Sequence, residues 1–550
     1  MRRSGLIAMV GLVALGVSCQ LMSGLADLGL GDQATGTACT HLGQCLSEQC
    51  IDQVCCETVC DTPCSGCNQA GSEGLCTPYP VRTDPDGDCP GMGLCDGSGT
   101  CAEGNHLWSL RFGDWDPQSA YAVAVDDDRN IVVVGTYQGT VDFSGTPLSS
   151  IGDGNLFVAK LSPAGELLWA KGYGDTAAQE ATGVAIDGQG NIAVAGRHHG
   201  TLDFPDGSSA LVAEPEGSHF LALFNAEGGA EWSRSVPGRL WPRVAIDHSS
   251  GDVVMAGRLT DEATFGSDTL TPVWTEDIYV ARFSPAGDLR WSAHIPSEDV
   301  ETDPDQVVSL LGGLAIDSQG AVLLAGGFLT QLTFGSEVLR NESVGADIFV
   351  AKLDADGDAL WAKRYGGDEG LTQFVSGFAL DDDHLVLVGA YVGLLSLGPS
   401  ALPSSGWKHR DVFVARLSPD GEHLLSRGFP GGLAVDEDHK VSLPTGVAVD
   451  AVQGNIVVTG VLASSLNFGG EVLKTAGSYD MFFAKLSPTA EHLYSKRYGD
   501  GNEQFAFAGA IDSQGDVVIA GHFQTTLDFG AATSLQSEGE FDIFVAKFTP

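Results

Sequence analysis

Phe157-Val158-Ala159-Lys160-Leu161 is the stretch on which the fold turns, because the chain writes versions of it seven times. The copies begin at Phe157, Phe220, Tyr279, Phe349, Phe413, Phe482 and Phe544, with separations of 63, 59, 70, 64, 69 and 62 residues. Self-similarity at such a period is the signature of a repeat architecture. In an extended chain Phe157, Ala159 and Leu161 share one face, while Val158 and Lys160 share the other. Upstream of each copy lies a β-branched run closing on Gly135, Gly196, Gly257, Gly326, Gly389, Gly460 or Gly521. Between 8 and 10 residues before that glycine, an apolar run closes on Asp126, Asp187, Asp247, Asp317, Asp381, Asp450 or Asp512. A TxDFG-like element intervenes, as at Thr140–Phe143, Thr201–Phe204 and Thr526–Phe529. Downstream comes a run marked by Trp169, Trp232, Trp291 or Trp361, then by Leu425 and Tyr494. Gln189-Gly190-Asn191 and Ser162-Pro163-Ala164-Gly165 supply turn chemistry between runs. Each repeat therefore predicts four strands, and four-stranded units repeated four to eight times read as propeller blades.

The two ends of the array predict closure. The seventh unit stops at Phe548-Thr549-Pro550 without its tryptophan run, and that run stands alone in front of the first unit, at Leu107-Trp108-Ser109-Leu110-Arg111-Phe112-Gly113. Moving it to the end completes an all-β, seven-bladed propeller over residues 105–550, whose last blade is closed by strand 107–113 and which leaves no open sheet edge. The pattern VAID-x-x-GN-IVVxG…LDFG…DIFVAKLSPxG…LWAK resembles the bacterial SBBP-type β-propeller repeat over about 445 residues. That resemblance implies a secreted or surface protein and assigns no chemistry.

All thirteen cysteines lie at or before Cys101. In residues 1–19, Arg2 and Arg3 precede the 13 uncharged residues Gly5–Val17. That is too short for a spanning helix, which takes about 20, and fits the core of an export signal. The segment resembles a bacterial lipoprotein signal, which implies acylation of Cys19, and Gln20 after it implies sorting to the outer membrane. An ordinary secretory signal, giving a secreted or periplasmic protein, is the alternative. Residues 20–38 read as a linker. Twelve cysteines then crowd residues 39–104: Cys39, Cys45, Cys50, Cys55, Cys56, Cys60, Cys64, Cys67, Cys76, Cys89, Cys95 and Cys101. So small a segment cannot build an ordinary core, and an exported one can use disulfides, whose pairing the spacing leaves open. Zinc is the weaker reading, since there is a single CxxC, Cys64 to Cys67, and the nearest upstream histidine is His41. The run from Cys50 to Cys76 resembles a cysteine-rich module of myxobacterial surface proteins, which implies cell-surface placement. Asp84, Asp86 and Asp88 have the alternate spacing of a calcium loop but no following bidentate Glu, so a polar turn is preferred.

Lys and Arg number 28 against 72 Asp and Glu, a net charge of 28 − 72 = −44. This excludes the basic surface that nucleic-acid binding needs and leaves the lipid anchor as the expected membrane contact. No HExxH, GxxxxGK or GxSxG motif is present. His198 and His199, adjacent on a strand, point to opposite faces and read as a solvated pair. The seven aspartates closing the VAID runs form a candidate calcium ring, but the preferred reading bonds each carboxylate to its own turn. The fourth FVAKL position holds Lys160, Arg282, Lys352, Arg416, Lys485 or Lys547, with Leu223 the exception. Asp277, Asp347, Asp411, Asp480 and Asp542 stand two residues before the aromatic, with Asn155 and Ser218 in the other repeats. Because the second repeat loses both charges, the pattern predicts a structural ion pair between these two kinds of position, linking strands within or between blades. No cofactor is expected. The leading expectation is a monomeric, non-catalytic cell-surface lipoprotein whose propeller is a binding or structural platform for a surface protein or glycan. The alternatives are a carboxylate-based glycan hydrolase or lyase, or a lectin, on the same scaffold. The irregular acidic segments 295–308 and 426–444 are the expected variable loops.

Overall fold

The computed structural model describes residues 33–41, 44–60, 64–79, 94–95, 101–102 and 104–550, apart from 146, 206, 274–276, 299–310, 344, 368–370, 407, 433–441 and 531–533. The chain divides into two compact units, Met1–Glu103 and Gly104–Pro550. Cys19, Cys89 and the Asp84 to Asp88 run lie outside the described residues, as does much of segments 295–308 and 426–444. The ends of the second irregular segment belong to strands His423–Phe429 and Leu443–Val449.

In the second unit seven antiparallel four-stranded sheets follow one another. Blade 1 runs from inner strand Gln118–Val125 through Ile131–Tyr137 and Asn155–Leu161 to outer strand Leu167–Tyr173. The remaining inner strands are Gln179–Ile186, Arg239–Ile246, Leu311–Ile316, Gln373–Asp381, Leu443–Val449 and Gln504–Ile511, and each packs against the next around a closed ring. Blade 7 takes its outer strand, His106–Phe112, from the front of the unit: Leu110 pairs with Val545 and Trp108 with Lys547. The seven-bladed, N-terminally closed propeller is therefore the fold.

Burial explains the composition of the strands. The second and third strands of each blade are covered on both faces by neighbouring blades, so they run almost continuously apolar, as in Ile131–Tyr137 and Asn155–Leu161. The TxDFG element forms a small extra hairpin, for example Thr140–Asp142 with Pro147–Ser149, beyond the four strands predicted for each repeat. Its phenylalanine is buried against the FVAKL aromatic, with centroids 5.1 Å apart for Phe143 and Phe157 and 5.6 Å for Phe468 and Phe482.

In four blades the tryptophan of the outer strand latches one blade to the next, whereas the indole N–H of Trp361 meets no acceptor among the described residues. Trp108, Trp169, Trp232 and Trp291 donate their indole N–H to the carbonyls of Pro163, Ala226, Pro285 and Ala355, at 3.2, 3.1, 3.0 and 2.7 Å. These acceptors sit in the SPxG-type turn of the following blade. The turn glycine lies under the ring: a Cβ on Gly228 would fall 2.8 Å from Trp169, and its φ is +80°. Glycine is needed there on both counts. Tyr494 replaces the latch by donating to the Thr549 carbonyl at 3.3 Å.

The first unit is built from its half-cystines. Disulfides join Cys39 to Cys50, Cys45 to Cys55, Cys56 to Cys67, Cys60 to Cys76 and Cys64 to Cys95. Cys64 and Cys95 bury Tyr79 between them, and paired strands here are only two residues long. The sulfurs of Cys39, Cys45 and Cys55 come within 4.8 Å of one another, but all three are oxidised in two neighbouring disulfides and offer no thiolate.

Candidate functional site

The seven aspartates stand at the far ends of the inner strands, and each belongs to the turn that follows. Asp126 accepts from the Asn130 backbone and side chain at 2.7 and 3.0 Å, and Asp512 accepts from the backbone N–H groups of Gln514 and Asp516. The remaining carboxylate oxygen meets the FVAKL cation. Lys160 reaches Asp126 at 2.9 Å, Lys352 reaches Asp317 at 2.7 Å, Arg282 joins Asp247 and Asp252, and Arg416 pairs with Asp381. Lys547 lies between Asp512 and Asp516, at 2.7 and 3.3 Å. A cation such as calcium would have to displace these partners. Burial alone would raise the Asp126 carboxyl, but bonds from Asn130 and Lys160 outweigh it and hold the group below its ordinary value.

This corrects the ion pair expected from the repeat. Within Asp277–Phe283, the acid and Arg282 are five residues apart and point to opposite faces, so they cannot meet. In four of the five repeats that carry it the leading acid instead binds the outer strand: Asp277 takes His294, Asp347 takes Arg364, Asp480 takes Arg497 and Asp542 takes Arg111, each at 2.5 Å, while Asp411 accepts from the backbone N–H groups of Ser405 and Gly431. In blade 2, Ser218 keeps the acid's other task by accepting the Glu214 N–H at 3.0 Å, and Asp187 is satisfied by Gln189 and Asn191 without a cation. The two substitutions are therefore separate events. His198 is likewise not solvated: it is buried, bonded to Ser235 at 2.9 Å, and burial pushes it down to about 4.

The opposite, starting ends of the inner strands behave differently. Every one carries a β-bulge at the same place, which re-aims the residue five positions before the aspartate. That position reads Tyr121, Thr182, Pro242, Gly312, Ser376, Thr445 and Phe507, with no repeat pattern. Two adjoining cavities of about 330 and 220 Å³ lie on the axis, lined by residues from all seven inner strands. The larger has an aromatic wall. Tyr121 lies 5.9 Å from Trp241 and 5.3 Å from Phe507, and Phe505 stacks on Phe507 at 5.6 Å. Phe374 closes another side, with the Arg410 guanidinium 5.6 Å from its centroid.

No protein-family model matches the chain. It is 20% identical over 548 residues to an uncharacterised WD repeat-containing protein of Acanthamoeba polyphaga mimivirus, covering 80% of this chain and 38% of that protein. The chain thus spans under two fifths of the length of that curated relative. Among solved structures it is similar to the WD40 propeller domain of Doa1, at 11% identity over 82% of this chain and 97% of that one, with a TM-score of 0.36. It is also similar to the propeller domain of the trilobed protease from Pyrococcus furiosus, at 10% identity over 79% and 94%, with a TM-score of 0.37. The likeness is one of fold.

Among the described residues lining the two axial cavities there is no Asp, Glu or His. A serine–histidine contact does occur nearby, Ser119 Oγ to His522 Nδ1 at 2.6 Å, but burial pushes His522 down to about 3 and neither residue lines a cavity. What the mouth offers is apolar and aromatic surface with a few hydroxyls and a single lining arginine, the usual make-up of a binding pocket. Sequence reasoning missed it. The signal was present: aligning the seven VAID runs on their aspartates exposes the one column that does not repeat.

Proposed function

We propose that this chain is an exported surface protein, lipid-anchored through Cys19, whose propeller is a non-catalytic binding platform presenting the starting ends of its inner strands. The observation that carries the binding reading is the contrast between the two ends of those strands. At the far ends the repeated aspartates and cations are consumed by turns and ion pairs. At the starting ends a conserved bulge displays a different residue from every blade around a cavity of about 330 Å³. A ring that spends its repeats on architecture and varies one displayed column fits recognition better than chemistry. The absence of carboxylates among the described cavity-lining residues supports this over a carboxylate-based glycosidase. The FVAKL aromatics are buried, which removes a repeated lectin site from those positions.

The anchor is tested by labelling with radioactive palmitate in a bacterial host. Label lost on Cys19→Ala supports it, and unchanged labelling sinks it. The binding face is tested by screening a glycan array with the full chain and with Tyr121→Ala/Phe507→Ala. Specific binding that the double variant abolishes supports the reading, while binding that survives intact moves the site elsewhere.

A further inference from the structure

Blades 2 and 3 break the repeat at four places, Arg243, Leu240 and Tyr279 in blade 3 and His219 in blade 2, and they meet at one corner. Four residues before the aspartate, where the strands line the narrower cavity, the blades carry Ala122, Gly183, Gly313, Gly377, Gly446 and Ala508, but blade 3 carries Arg243. Its Nε donates to the Leu311 carbonyl of blade 4 at 3.0 Å, and no carboxylate pairs with it among the described residues. Just before it, blade 3 opens a wider bulge, with Arg239 opposite Arg258 and Arg243 opposite Ala256, and Leu240 sits at φ +64°. The next residue, Trp241, is 49% exposed at the cavity wall. A non-glycine residue held in that backbone region persists only when its surroundings impose it.

The surroundings do impose it. At the second position of the third strand the other blades have Leu156, Ile278, Ile348, Val412, Met481 and Ile543, whereas blade 2 has His219. At the third position blade 3 has Tyr279 in place of Phe. Both are fully buried. The Tyr279 hydroxyl donates to His219 Nδ1 at 2.8 Å, and His219 Nε2–H donates to the Leu240 carbonyl at 3.1 Å. Two departures from the apolar pattern thus form one buried network whose end point is the distorted backbone beside Trp241 and Arg243.

We propose that this corner of the channel mouth is a binding site for a small planar organic anion, its flat body against Trp241 and Tyr121 and its acidic group on Arg243. The proposal rests on the binding-platform reading and names its ligand class. The anion follows from charge: no Asp or Glu stands among the described residues lining the two axial cavities, and the hydrogen bond that Arg243 makes among the described residues goes to a neutral carbonyl, that of Leu311. The planar body follows from the aromatic wall, and the small size from a cavity of about 330 Å³.

The test titrates the full chain with anilinonaphthalene sulfonate and with its uncharged analogue phenylnaphthylamine, following probe emission and Trp quenching. The expected result is saturable binding of both, with Arg243→Ala weakening the sulfonate about tenfold or more and the neutral probe by less than about twofold. Arg243→Gln, which keeps a donor for the Leu311 carbonyl, should do the same with an unchanged melting curve, so a folding defect in the alanine variant does not decide the matter. If both probes bind and neither variant separates them, the anion assignment is overturned while the platform stands. If the wild type binds neither probe, the mouth is not a small-molecule pocket and the ligand class falls with it. Sulfonate binding that Trp241→Ala leaves untouched would also overturn the proposed site.

Discussion

Lys547 and Asp512 show what a repeated residue does in this ring. The ammonium and both carboxylates it meets, Asp512 and Asp516, are almost completely buried. Removing one partner of such a cluster leaves an uncompensated charge, a loss of about 3–5 kcal/mol in buried pairs. Lys547→Leu should therefore destabilise more than Lys160→Leu, which strands Asp126 alone with its Asn130 bonds still in place. Denaturant midpoints of the two variants check the ranking, and equal midpoints would contradict it. The Asp187 blade already tolerates Leu223, because Asn191 donates twice to the carboxylate. The same residues fix a pH dependence. Asp126 is held below its ordinary pKa, first against burial and then by bonds from Asn130 and Lys160, so the folded state binds its proton less tightly than the unfolded chain. Its contribution is complete above the unfolded value of about 4 and fades as pH falls below it. The stability gap between wild type and Asp126→Asn should accordingly be flat from pH 7 to about 4 and shrink below that. A gap that grows on acidification would refute the sign. That the aspartates recur was legible from the chain. Which cation each one meets was not, because pairing depends on strands far apart in sequence, such as Asp512 and Lys547, and the acid nearest in sequence lies on the wrong face.

At the scale of elements, the latch between outer strand and next turn carries the blade-to-blade contact. Trp232→Phe keeps a ring over Gly287 but removes the donor to the Pro285 carbonyl. A loss of about 1–3 kcal/mol is expected, as for a hydrogen bond whose partly buried partner is left unmatched. Gly228→Ala should cost at least as much, since its Cβ would meet the Trp169 ring at 2.8 Å in a left-handed backbone. Thermal melts of both variants check this, and two wild-type melting temperatures would remove the latch from the account. The latch tryptophans were visible in sequence as strand markers, and so were the SPxG turns. Their union was not, because it joins repeats rather than residues within one. The extra hairpins were hidden for a different reason: strands of two or three residues, such as Thr201–Leu202, are too short to display an alternating pattern.

For the whole molecule, the chain's own ends decide the architecture. Strand Asp542–Phe548 would be a bare edge without His106–Phe112 beside it, and blade 7 would lose the strand that ties it through the chain to blade 1. That closure was legible because the repeat count left one run over at the front and one missing at the back. The mouth of the channel was less so: Arg243, His219 and Leu240 acquire meaning only when the bulges place them around a common axis. The most direct measurement compares residues 104–550, a compact unit with its own core, with residues 114–550, by ultracentrifugation and thermal melting. The account predicts that 104–550 is monomeric with a cooperative melt, that 114–550 melts lower and self-associates through its open edge, and that a peptide of residues 104–113 restores the first behaviour. A monomeric 114–550 with the melting temperature of 104–550 would contradict it.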